Sequence, residues 1–132
     1  MRKVLVVERD ETLRRLLREV LARTGIEADT VSEVPEALLR IAEEHYGVLI
    51  LDIEPGDRSA GEVFRAVELL KPLSRPVVLV TGEPDSDLLV DAAVARLPIH
   101  KPYDVTALAA VITASIGGGT QSETSGGDRP TC

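Results

Sequence analysis

Val48-Leu49-Ile50-Leu51-Asp52 is the stretch on which the fold turns. Four consecutive large aliphatic residues leave no polar face, so a strand made of them must be covered on both sides, as central strands of parallel sheets are. The run stops at an acid and a polar loop, Glu54-Pro55-Gly56-Asp57-Arg58-Ser59. Val4-Leu5-Val6-Val7, which ends at Glu8, has the same build, and so does Pro76-Val77-Val78-Leu79-Val80, which ends at Thr81-Gly82. Ile26–Val31 is shorter, and Glu27 and Asp29 alternate outward in it, which predicts a strand nearer an edge. Leu97-Pro98-Ile99-His100 is a weak fifth strand ahead of Lys101-Pro102.

Helical patterns fill the gaps between these runs. Asp10 is placed to cap a first helix in which Leu13, Leu16, Leu17, Val20 and Leu21 recur at helical spacing, and Gly25 ends it. Ser32 is the expected cap of a second, with Pro35 in its first turn and Ala37, Leu38, Ile41 and Ala42 inward. A third runs from about Gly61 to Leu70 and stops before Pro72. Asp85 or Ser86 would cap a fourth carrying Leu88, Leu89, Ala92 and Ala93, and Asp104 a fifth with a stripe of Leu108, Val111 and Ile112. Alternating strands and helices with short loops predict an α/β fold, a doubly wound five-stranded parallel sheet with helices on both faces. The expected strand order is 2-1-3-4-5.

From Gly117 the pattern stops. Residues 117–132 are dominated by Gly, Ser and Thr and cannot bury enough apolar surface to offset ordering, which predicts one domain over 1–116 and a disordered tail after it. A chain of 132 residues suits one domain with an aliphatic core. The net charge of -7 argues against a nucleic-acid partner, since phosphate backbones call for a basic face. The lone Cys132 cannot close an internal disulfide, and no stretch reaches the ~18 apolar residues of a membrane span. The expectation is a cytoplasmic protein with no membrane partner.

In such sheets ligands bind beyond the carboxyl ends of the strands, at the switch point in strand order. Glu8, Asp52, Thr81 and Lys101 all fall at strand ends. A carboxylate, a hydroxyl and an ammonium on one rim suit phosphoryl transfer, with the carboxylate as nucleophile and the others holding equatorial oxygens. A single polar residue at a strand end means little; four at matching ends, with a Lys-Pro step, favour a site.

Over about Met1–Ile116 the chain resembles the receiver domains of bacterial response regulators, which are flavodoxin-like, CheY-like modules of two-component signalling. The resemblance rests on Val4–Val7 with the acids after it and Leu13-Arg14-Arg15-Leu16-Leu17, on Val48–Asp52, on Val77–Thr81 with Gly82, and on Ile99-His100-Lys101-Pro102-Tyr103-Asp104 before an apolar helix. It implies a phosphoprotein of a phosphorelay and no enzyme. Asp52 would accept a phosphoryl group from a histidine kinase or phosphotransfer protein, Thr81 would follow the phosphoryl oxygen, and Lys101 would pair with the anion. Glu8, Asp52 and the backbone carbonyl of Glu54 would be the ligands of Mg2+. A downstream protein target would read the face made by the fourth helix, fifth strand and fifth helix.

The chain departs from that pattern where the metal would sit. The family's usual pair of acids after the first strand here reads Glu8-Arg9. A guanidinium has donors only and stays charged, whereas magnesium wants oxygen ligands in near-octahedral array. Glu8 and Asp52 are balanced by Arg9 and Lys101, so the site is neutral without an ion. Arg9 is therefore expected either to stand in for the metal, pairing with Glu8 or Asp52, or to point to solvent beside a weak metal site. Pro55 comes one residue early, and Pro98 stands where the family often carries a switching aromatic, which Tyr103 does not replace. His100 is expected to be a packed or surface residue, and His45 to end the second helix, where it favours the negative helix end. These departures open a second reading, a receiver that works without phosphate as a protein-interaction module. A phosphatase with an Asp nucleophile would want a second Asp as general acid where Glu54-Pro55 stands. Flavin binding would want a Ser/Thr/Gly-rich loop where Glu8-Arg9-Asp10-Glu11 stands.

Overall fold

The computed structural model describes residues 3–53, 59–82, 96–100 and 104–121. Strands β1 (Lys3–Val7), β2 (Ala28–Val31), β3 (Tyr46–Ile53), β4 (Val77–Gly82) and β5 (Arg96–His100) form one sheet in the order β2-β1-β3-β4-β5. Every neighbouring pair is parallel. Helices α1 (Glu11–Arg23), α2 (Val34–Glu43) and α3 (Ala60–Glu68) connect the first four strands, and α4 (Val105–Gln121) follows β5. The helix expected between β4 and β5, with Asp85, Ser86, Leu88, Leu89, Ala92 and Ala93, lies outside the described residues. The α/β class, the strand order and the edge position of β2 follow the sequence reading.

The doubly apolar strands explain the two layers. Along a strand alternate side chains point to opposite faces. Leu5, Val7, Leu49, Leu51, Val78 and Val80 therefore pack under α2 and α3, with Val34, Ala37, Ile41, Val63, Phe64 and Val67. Val4, Val6, Val48, Ile50 and Leu79 pack on the other face, under Leu17 and Leu21 of α1 and Leu108, Ala109 and Ile112 of α4. No helix among the described residues is long and apolar enough to cross a membrane.

Local signals act mostly as expected. The Asp10 carboxylate accepts from the N–H groups of Thr12 and Leu13 at 2.9 and 3.2 Å, capping α1. The helix closes where the N–H groups of Gly25 and Ile26 reach the carbonyls of Ala22 and Leu21, and Gly25 has the positive φ of 82° that this closure favours. Asp104 caps α4 through Thr106 and Ala107, and Leu108 and Ile112 are buried while Val111 is half-buried. The last helix continues past Ile116 to Gln121, and residues 122–132 lie outside the described ones.

Two details of α2 correct the sequence reading. Ser32 does not cap the helix: the cap position is Glu33, in extended backbone, with no side-chain cap bond, and the Ser32 hydroxyl donates instead to Glu36 at 3.4 Å. Pro35 in the first turn sets the start of the helix one residue later than Ser32 would. Ala42 does not face inward but is exposed, and Val34 is buried in its stead. The buried stripe is Val34, Ala37 and Ile41; Leu38 packs against the same cluster, as expected, and its outer side lines an open groove beside α3.

The end of the sheet away from the candidate site carries a charged cluster. Lys3 donates to Glu44 at 2.8 Å and lies 3.3 Å from Glu27 and 3.7 Å from Asp29, which in turn accepts from the Tyr46 hydroxyl at 2.7 Å. The bonds to Glu44 and Glu27 raise the Lys3 pKa, and burial together with the bond to Asp29 raises that of Tyr46. Both groups hold their protons more tightly folded than unfolded. Their contribution is thus complete below the ordinary values of about 10 and is lost as pH rises beyond them. Thermal melts followed by circular dichroism are expected to give a lower Tm at about pH 11 than at about pH 8, and a smaller drop in Tyr46→Phe.

Candidate functional site

The ends of β1, β3 and β4 meet at the switch point of the sheet. β1 and β3 pair through Val7 and Leu51, so the next residues, Glu8 and Asp52, continue side by side. β3 and β4 pair Asp52 directly with Thr81. The rim thus gathers three of the four predicted residues from three separate strands. Lys101, which follows directly on the last residue of β5, lies outside the described residues, as do Glu54, Pro55 and Tyr103.

Thr81 is fully buried, and its hydroxyl donates to Oδ1 of Asp52 at 3.2 Å. Asp52 itself is half-buried, so its carboxylate is positioned by a neighbour and still reachable from solvent. Glu8 is buried; Oε2 accepts the Asp10 N–H at 3.2 Å and Oε1 is sealed from solvent. The Glu8 N–H bonds to the Val31 carbonyl at 3.1 Å, which extends the sheet ladder to the site's edge.

The turn after β1 contains a residue the sequence reading passed over. Arg14, set among the polar positions of α1, donates from Nη1 to the carbonyls of Glu8 at 2.8 Å and Arg9 at 3.1 Å. A guanidinium offers several donors in a fixed plane, which lets one group bond two successive carbonyls. Asp10 is committed to its helix cap through Oδ1. Arg9 is exposed and, like Glu8 and Asp52, takes part in a further interaction within the chain.

Magnesium fits this donor set poorly. Glu8 and Asp52 bring two carboxylates, Arg9 brings a cation, and Asp10 is turned to its helix. Among the described residues no three His, Cys, Asp or Glu side chains gather in a way that could hold a metal ion. What the rim does offer is a half-buried carboxylate with a hydroxyl fixed beside it on a rigid sheet edge, an arrangement suited to a nucleophile held ready for an electrophilic phosphorus.

Pro98 lies in β5, paired in register with Val80. Proline has no N–H for a ladder on both sides, and β5 is an edge strand. His100 is the last residue of β5; His45, expected at the end of the second helix, instead lies exposed beyond it, because α2 ends at Glu43.

The described architecture is shared with known proteins. Residues 4–113 match the model of the response regulator receiver domain. The chain is 27% identical to the transcriptional regulatory protein CrdR of Helicobacter pylori over 84% of its own length, and spans about half (53%) of that relative. It is 28% identical to the response regulator receiver protein CpdR of Brucella abortus, covering 76% of this chain and 88% of the relative. Among solved structures, HP1043, an orphan response regulator of H. pylori, superposes with a TM-score of 0.72 at 26% identity, over 87% of this chain and 96% of the other. Receiver domains are signalling modules that exchange contacts with histidine kinases or phosphotransfer proteins and with effector targets. With that sheet order, Asp52 and Thr81 side by side at its rim and a family match over most of its length, the chain belongs to the response regulator receiver family of two-component signalling.

Proposed function

We propose that the chain is a phosphorelay receiver whose phosphoacceptor is Asp52, and that it accepts the phosphoryl group with little help from magnesium. The half-buried Asp52 carboxylate, with the Thr81 hydroxyl 3.2 Å from Oδ1, carries this reading. An Asp52 oxygen attacks phosphorus as the bond to the donor histidine nitrogen breaks, and the imidazole leaves with the electron pair and takes up a proton. The product is an aspartyl phosphate. Thr81 then donates to a phosphoryl oxygen in place of Oδ1, and Lys101, one residue past β5, supplies a cation. Arg9 supplies a second positive charge beside Glu8, where the family usually has an acid. The downstream partner is a protein that binds the side of the sheet at β5 and α4, together with the segment that the sequence predicts as a helix before β5.

Arg9 also favours a second reading, in which the chain docks on its partner without phosphate. HP1043, described as an orphan response regulator, is one of the structures it resembles. Intact-mass measurement after incubation with acetyl phosphate separates the two. The expected result is a phosphoryl adduct that forms on the native chain, is absent in Asp52→Asn, and changes little when magnesium is chelated. No adduct under either condition would overturn the proposal and leave the phosphate-independent reading. Steady turnover of an aryl phosphate, without accumulation of the adduct, would point to a phosphatase instead.

A further inference from the structure

The outer face of α2 and α3 carries an open groove of about 520 Å³ lined by Leu38, Gly61, Glu62, Arg65, Ala66 and Leu69. Its apolar rim is displayed, not tucked away. Leu69 is 82% exposed, just past the end of α3. The turn that carries it is fixed from behind: the Arg75 guanidinium donates to the carbonyls of Glu68 at 2.7 Å and Leu70 at 3.2 Å. A leucine held outward in this way exposes apolar surface at a cost in free energy that an occupant of the groove would remove.

Gly61 adds a second observation. It sits in the first turn of α3, and a Cβ built there meets no atom within 4 Å. Alanine would fit and would favour the helix, so among the described residues nothing inside the fold calls for glycine. A glycine on an outer helix face leaves room for another backbone to come close. Glu62 and Arg65 are a third. They lie three residues apart on that face with opposite charges, both exposed, and neither side chain pairs with another among the described residues.

We propose that a second copy of this chain covers the groove in a two-fold symmetric dimer. A two-fold contact uses the same patch twice, so the patch must be complementary to itself. Setting α3 antiparallel to its mate, with the axis between Glu62 and Arg65, meets that condition. Glu62 of each copy faces Arg65 of the other, and the missing side chain at Gly61 lets the two helices approach at the edge of the contact. Leu38 and Leu69 flank this contact on both sides and leave solvent. A partner with charge of a single sign would satisfy only one of the two residues. Two helices of 10 and 9 residues present a modest patch, which fits a dimer of micromolar rather than tighter affinity.

Sedimentation velocity on the full chain over a concentration series tests this. The expected result is a concentration-dependent dimer whose Kd rises at least about tenfold in Leu69→Glu, and by a similar factor in Glu62→Arg or Arg65→Glu alone. The double reversal Glu62→Arg with Arg65→Glu restores association, because both cross-pairs re-form with their signs exchanged. The substituted positions all lie on the groove's surface, and a circular dichroism melt checks each variant's fold; should Leu69→Glu unfold, the charge-reversal set decides alone. A monomer at every concentration up to about 500 µM would overturn the proposal and leave the groove to a different protein. So would a dimer indifferent to Leu69→Glu, or single reversals whose losses simply add in the double variant.

Discussion

Arg9→Asp is expected to raise the magnesium-dependent rate of Asp52 phosphorylation by about 10- to 100-fold, the scale on which groups around a metal set its affinity. The substitution changes the local charge by two units, because a cation is removed and an anion takes its place. It also adds an oxygen ligand where a guanidinium offers none, next to Glu8 and Asp52. The turn that would carry the new carboxylate is already fixed, since Arg14 holds the carbonyls of both Glu8 and Arg9. Acetyl phosphate time courses by intact mass, with magnesium and with chelator, give the rate ratio. Arg9→Ala serves as the control: loss of the cation alone should produce a smaller gain than the new acid. Equal rates for the native chain and Arg9→Asp would mean that Arg9 does not occupy the ion's place.

Why the site was legible in outline follows from the same geometry. Each apolar run ends where its strand leaves the core, so Glu8, Asp52 and Thr81 mark three strand ends, and the parallel register then puts Asp52 against Thr81. The fold was legible because Val48, Leu49, Ile50 and Leu51 cannot sit anywhere but in a strand covered twice, and all four are buried. Arg14 was not legible. Its bonds go to main-chain carbonyls of a turn, and no spacing of residue types announces where a turn's carbonyls point. The cap of α2 failed for a related reason. Ser32 and Glu33 both precede a helix-like pattern, and only the backbone conformation, extended at Glu33, decides between them. Ala42 failed because helical periodicity gives the direction of a buried stripe but not its width, which depends on how closely α3 approaches.

Leu79→Ala is expected to destabilise the fold by about 3 kcal/mol, while Leu69→Ala is expected to stay within about 0.5 kcal/mol of the native chain. Both remove the same atoms from the same residue type, so the difference isolates environment. Leu79 is fully buried in β4, in the cluster that joins Val6 of β1 and Ile50 of β3 to Leu17 of α1 and Ile112 of α4. Shortening it opens a void under two helices that also pack on each other and on Val4, Val6, Val48 and Ile50 in the same cluster, which limits how far they can close in. Leu69 loses only contact with water and with whatever fills the groove. The loss at Leu79 is a large share of the ~5–15 kcal/mol that holds a domain of this kind together. Urea titrations by circular dichroism should therefore show the midpoint of Leu79→Ala well below the native one at unchanged slope, with Leu69→Ala overlying the native curve at concentrations where the chain is monomeric. Thr81 lies two residues beyond Leu79, and its pairing with Asp52 is set by the β3–β4 ladder, not by the void. The destabilised variant is thus expected to accept phosphate at Asp52 at close to the native rate under conditions where it remains folded, which separates the strength of the core from the chemistry at its rim.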